Sequence, residues 1–186
     1  GWSRYWLVDP LDGTREFVKK NGEFTVNIAL IDGDAPVLGV VHAPALDYMA
    51  HAERGVGAFL RDGAGDIALS TRRPAPTPMR VAASRSHLDP RTAAALEKMG
   101  ATERIGMGSS LKFCRIAEGR IDVYPRFGPT SEWDTAAAQC VLEAAGGAVL
   151  TLDGTALRYN TKDSLLNPDF IALGDPALNF KAWLDG

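Results

Sequence analysis

Cysteine is scarce: only Cys114 and Cys140 occur, both set in apolar stretches. Neither a disulfide framework nor a Cys-based zinc site is supported, and the composition fits a reducing, cytoplasmic setting. Histidine is nearly as scarce, and His42 and His51 lie in strand patterns with no acidic or histidine partner at ligand spacing. No excess of positive charge is present. Lys and Arg total 20 against 23 Asp and Glu, a net charge of -3. A broad surface for a nucleic-acid polymer is therefore not expected, and an acidic substrate would need a local cation. The chain also lacks an apolar run of about 18 residues, a charged leader followed by an apolar segment, and any lipidation signal, so nothing points to an integral membrane segment. It opens on Gly1-Trp2-Ser3-Arg4 rather than Met and enters an apolar strand at once, so upstream sequence is expected.

What is present reads as two halves. In the first, Tyr5–Val8, Phe24–Ile31, Val37–His42, Tyr48–Ala52 and Gly57–Leu60 are β-branched or aromatic runs between Gly, Asp and Pro punctuation. Ile31-Asp32-Gly33-Asp34-Ala35 carries a hairpin signal, and an antiparallel sheet is the economical inference. Thr71–Pro78 holds three prolines, each without an amide donor, and marks a lobe boundary. Residues 1–77 and 78–186 are the expected lobes. In the second, strands at Met79–Ala83, Ile121–Pro125, Ala148–Leu152 and Phe170–Leu173 alternate with helices at Pro90–Met99, Ser110–Glu118, Trp133–Ala145 and Pro176–Leu184. Asp89-Pro90 and Asp175-Pro176 pair an N-cap with proline at the first helical position. Trp2, Trp6 and Trp183 read as packing residues, and Arg72-Arg73 as a solvated loop pair.

The sharpest local feature is Asp9-Pro10-Leu11-Asp12-Gly13-Thr14, directly after the first strand. Residues three apart in a regular strand face opposite sides, but Pro10 interrupts the ladder, so Asp9 and Asp12 can converge with the Leu11 carbonyl between them. Hard oxygen donors at a strand end suit Mg²⁺. Gly13-Thr14 then leads into a short helix whose first amides, approached closely at Gly13, form an anion site. An ordinary Asp-rich turn with a capping Thr has the same residue types.

Asp134 lies in Ser131-Glu132-Trp133-Asp134-Thr135-Ala136-Ala137-Ala138, at a helix start. Plain capping accounts for an Asp there as well as metal binding does. The small residues after it allow close approach to a sheet, which would carry Asp134 toward the acidic turn. Two metals about 3.5–4 Å apart on Asp9, Asp12 and Asp134 would polarise a phosphoryl oxygen and activate a water for in-line attack.

These residues resemble the lithium-sensitive, Mg²⁺-dependent phosphomonoesterase superfamily of inositol monophosphatases, fructose bisphosphatases and bisphosphate nucleotidases. Its Asp-Pro-(Ile/Leu)-Asp-Gly-Thr motif matches Asp9–Thr14, and its Trp-Asp-x-Ala-Ala motif matches Trp133–Ala137. Arg15-Glu16-Phe17 and the stretch Asn21–Leu30 look most like the CysQ-type 3'(2'),5'-bisphosphate nucleotidases, which act in sulfur metabolism. The resemblance implies an α/β (α+β) fold, a two-lobed αβαβα layered sandwich, here without its N-terminal helical segment. It implies two or more Mg²⁺ ions, with Asp9 bridging, Asp12 and Asp134 on individual ions, and the Leu11 carbonyl as a further ligand. It places the phosphate on Gly13 and Thr14, with Thr14 orienting water, and the nucleotide against His87, Ser109, Lys112 and Arg126. Ser109 and Lys112, three apart on a helix start, would grip one anion together as a second-phosphate site.

Family members carry an acidic Glu-Glu pair and a threonine-pairing Asp before the Asp-Pro turn, and this sequence contains neither. The expected activity is Mg²⁺-dependent removal of the 3' phosphate of adenosine 3',5'-bisphosphate, giving AMP and phosphate, with the sulfated analogue as a further substrate. An inositol-phosphate or sugar-phosphate phosphatase is the alternative within enzymes, and a non-catalytic nucleotide-binding remnant the alternative outside them. The expected partner is a small phosphate-bearing nucleotide; an oligomer is compatible with the sequence.

Overall fold

The computed structural model describes residues 2–83, 89–100 and 102–184. Six strands form the first sheet: β1 (Arg4–Asp12), β2 (Thr25–Asp32), β3 (Ala35–Ala43), β4 (Tyr48–Glu53), β5 (Gly57–Asp62) and β6 (Gly65–Ala68). They pair in chain order, every neighbour antiparallel. The short helix α1 (Thr14–Lys19) interrupts the meander between β1 and β2. β6 was not foreseen from the sequence; it lies fully exposed at the sheet edge, so it carries no apolar alternation to read.

The second sheet contains β7 (Met79–Ala83), β8 (Thr102–Gly106), β9 (Val123–Arg126), β10 (Ala148–Thr151) and β11 (Phe170–Leu173), in the order β10-β11-β9-β7-β8. β7 runs parallel to β8 and β9, while β11 is antiparallel to β9 and β10. β8 is the other unforeseen strand, a polar edge strand. The helices are α2 (Pro90–Met99), α3 (Leu111–Ala117) and α4 (Glu132–Ala144). The helix expected over Pro176–Leu184 is a correction: the chain there forms only a 3-10 turn at Phe180–Trp183. Asp175 does cap, accepting from the Ala177 amide at 3.0 Å, but Asn179 leaves helical geometry with ψ 67° and Phe180 turns into a small core with Val81, Val123, Ile171 and Leu173.

α3 and α4 pack on the inner face of the first sheet, and the main apolar core joins residues of both sheets across them. Gly39 on β3 shows why α4 is rich in alanine. A Cβ there would lie 2.8 Å from Cys140 Cβ and 3.1 Å from the Ala137 carbonyl carbon, so helix and strand touch backbone to backbone. Ala136, Ala137 and Ala138 are all buried at this contact.

On the outer face, among the described residues, no helix covers the first sheet. Trp2 and Trp6 are 81% and 57% exposed, which corrects their reading as packing residues; β1 is an edge strand whose outward pleat meets no layer. Trp183 does pack, against the smaller core. Arg72 is likewise no solvated residue: its guanidinium makes a bidentate pair with the buried Asp122 at 2.9 Å, joined by Arg80.

Candidate active site

Pro10 acts as expected. On β1, Asp9 pairs with Asn27 and Asp12 with Thr25, with a register shift between them that inserts one residue. Asn27 and Thr25 are two apart on β2, so they share a face, and their partners Asp9 and Asp12 are brought to that same face. The Leu11 amide donates to Asp9 Oδ1 at 3.0 Å and fixes the turn. Its carbonyl lies between the two carboxylates in sequence.

Asp134 both caps its helix and faces the acidic turn. It is the third residue of α4, and its Oδ2 accepts the Ser131 amide at 2.7 Å in a capping box. It also faces the turn: one carboxylate oxygen from each of Asp9, Asp12 and Asp134 lies within 4.8 Å of the others. Two stretches more than a hundred residues apart in sequence thus supply one acidic cluster.

Burial, and then repulsion from Asp12 and Asp134, pushes Asp9 up to about 6, against the Leu11 amide that favours its ionised form. Asp134 is also raised, first by burial, despite its bond from Ser131. Three acids crowded into a partly desolvated space form a donor set of hard oxygens that a cation would relieve, so the residues present fit a divalent metal ion.

Sequence reasoning missed the residues that hold Asp12. Its Oδ2 accepts from the Ser110 amide and hydroxyl, both at 2.6 Å, and from Thr25 Oγ1 and Asn27 Nδ2 at 3.3 Å. Asn27 also donates to Ser110 Oγ at 2.9 Å. Thr25, Asn27 and Ser110 are buried polar groups, and the first two were readable as polar interruptions on the core face of β2, alongside Ala29 and Ile31.

A cavity of about 550 Å³ opens beside the cluster. Gly13 and Thr14 line it, as do Ser109, Lys112 and Arg126. Gly13 has φ 85°, and a Cβ there would press on Glu23 O and Ser109 Cβ at 3.2 Å, so both conformation and space call for glycine. No side chain caps the first amides of α1. Ser109 has φ 47°, and its carbonyl, not its hydroxyl, meets Lys112 Nζ at 2.9 Å. Lys112 also sits over the Tyr124 ring at 5.1 Å, and Arg126 donates to Pro129 O at 3.0 Å. His87 lies outside the described residues. His51 takes a structural place, 3.3 Å from Asp66 and stacked on Phe59.

The sequence profile described as the inositol monophosphatase family matches residues 1–178. The chain is 50% identical over 169 residues to the 3'(2'),5'-bisphosphate nucleotidase CysQ of Shigella flexneri and to that of Escherichia coli strain K12, covering 91% of this chain and 68% of each relative. Among solved structures, CysQ from Bacteroides thetaiotaomicron superposes with a TM-score of 0.84 at 43% identity, covering 93% of this chain and 70% of that one. An inositol monophosphatase from Zymomonas mobilis, at 24% identity and TM-score 0.80, shares the fold. With its paired sheets, its acidic turn and its capped Asp134, the chain belongs to the inositol monophosphatase family.

Proposed function

We propose that this protein is a Mg²⁺-dependent phosphatase that removes the 3' phosphate of adenosine 3',5'-bisphosphate, with the sulfated analogue as a second substrate. The observation that carries the reading is the meeting of Asp9, Asp12 and Asp134 at one point beside a cavity lined by Gly13, Thr14 and several cations. Identity to the CysQ nucleotidases supports the nucleotide over an inositol phosphate.

Asp9, Asp12, Asp134 and the Leu11 carbonyl would hold the cations. Bound Mg²⁺ supplies charge for a phosphoryl oxygen and acidifies water. The chain's own residues do the rest. Gly13 lets backbone approach the phosphate, and the first amides of α1 offer donors to its oxygens. Thr14 holds the attacking water in line, Ser110 and Asn27 keep Asp12 oriented, and Ser109, Lys112, Arg126 and His87 bind the nucleotide. Residues 1–77 and 78–186 act as the two lobes.

Phosphate release from adenosine 3',5'-bisphosphate and from inositol 1-phosphate, each with and without Mg²⁺ and Li⁺, tests this. Preferential, Mg²⁺-requiring and Li⁺-inhibited release from the nucleotide is expected. Equal or greater turnover of inositol 1-phosphate would assign a sugar-phosphate activity instead, and Mg²⁺-dependent binding without release would leave a binding module.

A further inference from the structure

The segment 160–167, between β10 and β11, lies along the first turn of α4 and holds it at two points. At one, the buried Glu132 carboxylate accepts the Asn160 amide at 3.0 Å and Lys162 Nζ at 2.7 Å. At the other, Asn167 bonds the residues around Asp134 through both its backbone and its side chain. Its backbone amide donates to Thr130 O at 2.8 Å. Its Nδ2 lies 2.8 Å from Ser131 O, 3.0 Å from Thr135 Oγ1 and 3.1 Å from Thr130 Oγ1. Thr130 and Thr135 line the cavity, as Asp134 does.

One of these bonds reaches Asp134 through a single rigid plane. Thr130 O and the Ser131 amide belong to the same peptide unit, which is planar. Asn167 holds its oxygen, and its N–H donates to Asp134 Oδ2 at 2.7 Å. The side-chain amide grips the following unit at Ser131 O, so the peptides on both sides of Ser131 are pinned. The pin has a force to resist: carboxylate oxygens of Asp9, Asp12 and Asp134 lie within 4.8 Å of one another, and like charges at that range drive Asp134 outward. The arrangement carries a cost as well. Asn167 Oδ1 is buried with no partner among the described residues, and an unpaired buried carbonyl is unfavourable. An apolar side chain of like size would avoid that cost; what only the amide brings is two hydrogens directed at three oxygens.

We infer that Asn167 is a positioning residue: through the Thr130–Ser131 peptide it keeps the Asp134 carboxylate turned toward Asp9 and Asp12, and so sets the cation affinity of a cluster it does not join. This rests on the reading of that cluster as a Mg²⁺ site and adds to it a residue that acts from behind the cavity wall.

The test reads cation binding without turnover. Mn²⁺, a hard divalent probe for the same oxygen donors, is titrated calorimetrically into the metal-free whole chain, which gives affinity and number of sites separately. N167A is expected to bind about tenfold more weakly with the number of sites unchanged, the size usual for losing a group that orients a metal ligand. N167S, whose hydroxyl ends one bond short of Nδ2, should weaken binding in the same way. F180L, in the small core with Val81, Val123, Ile171 and Leu173, is the destabilised control. Its melting temperature should fall while its Mn²⁺ affinity stays at the wild-type level. A merely structural role for Asn167 would lower the melting temperature and the number of sites and leave the affinity alone. Affinity within about twofold of wild type in either Asn167 variant, or an equal weakening in F180L, overturns the inference while the cation site stands. A wild type that takes up no Mn²⁺ overturns it together with the Mg²⁺ reading of the cluster.

Discussion

Replacing Asp9 by Asn in the metal-free protein should stabilise it at neutral pH. Asp9 is 8% exposed, and burial beside Asp12 and Asp134 lifts it from 3.8 to about 6. The folded state therefore holds more protons than the unfolded chain between those values, so stability falls as pH rises through that window and is lowest above 6. A displacement of that size, discounted for the cavity's water, amounts to about 1–3 kcal/mol. Asn keeps the oxygen that accepts the Leu11 amide and removes the charge. Calorimetric melting in a chelator at pH 7.5 should show the variant about 2–12 °C above the wild type, given about 2–4 °C per kcal/mol for a chain of this size. At pH 5 about half of the difference should remain, because the unfolded carboxyl is still ionised there, and it should vanish only as the pH falls toward 3.8. Added Mg²⁺ should raise the wild-type melting temperature at pH 7.5 more than that of the variant, whose phosphate release should fall by orders of magnitude. An Asp9→Asn protein that melts at or below the wild type in chelator at pH 7.5 would refute the crowding of the three acids, and near-normal turnover would remove the metal mechanism.

Other substitutions probe the supports of the cluster. Ser110→Ala removes a donor to Asp12 and takes from Asn27 Nδ2 its shorter acceptor, so the Mg²⁺ concentration needed for half-maximal activity should rise about tenfold; an unchanged requirement would count against a role in holding Asp12. Gly39→Ala drives a methyl into Ala137 and Cys140 of α4 and should cost about 1–3 kcal/mol in denaturant unfolding, with activity falling as Asp134 shifts. Lys162→Met leaves the buried Glu132 with only the Asn160 amide, and a loss of about 1–3 kcal/mol is expected by the same measurement.

The acidic turn was legible because its chemistry is contiguous: Asp9, Pro10 and Asp12 bring two carboxylates and the device that aligns them in four residues. Asp134 was legible as a candidate, and its alanines hinted at the close approach, but the meeting itself depends on the contact of Gly39 with Ala137, which no local pattern contains. Thr25 and Asn27 were written in the alternation of β2 as polar residues on an apolar face, yet their target appears only once strand register is known. Ser110 reads in sequence as a helix start, and its bonds to Asp12 are a product of tertiary packing. Strands β6 and β8 escaped because edge strands facing water need no apolar alternation, and the last helix was over-read because a sound cap does not guarantee the turns beyond it.

The extra residue on β1 sets the parity of the chain. Were the same polypeptide to pair evenly from Asp9 onward, Asp12 would fall opposite Phe24 instead of Thr25 and its carboxylate would swing through the sheet to the far surface. Every carboxylate would survive in the polypeptide, yet the cluster could not assemble. The kink is therefore as much a part of the chemistry as the carboxylates themselves, and a change that merely irons it flat would silence the centre without touching an acid.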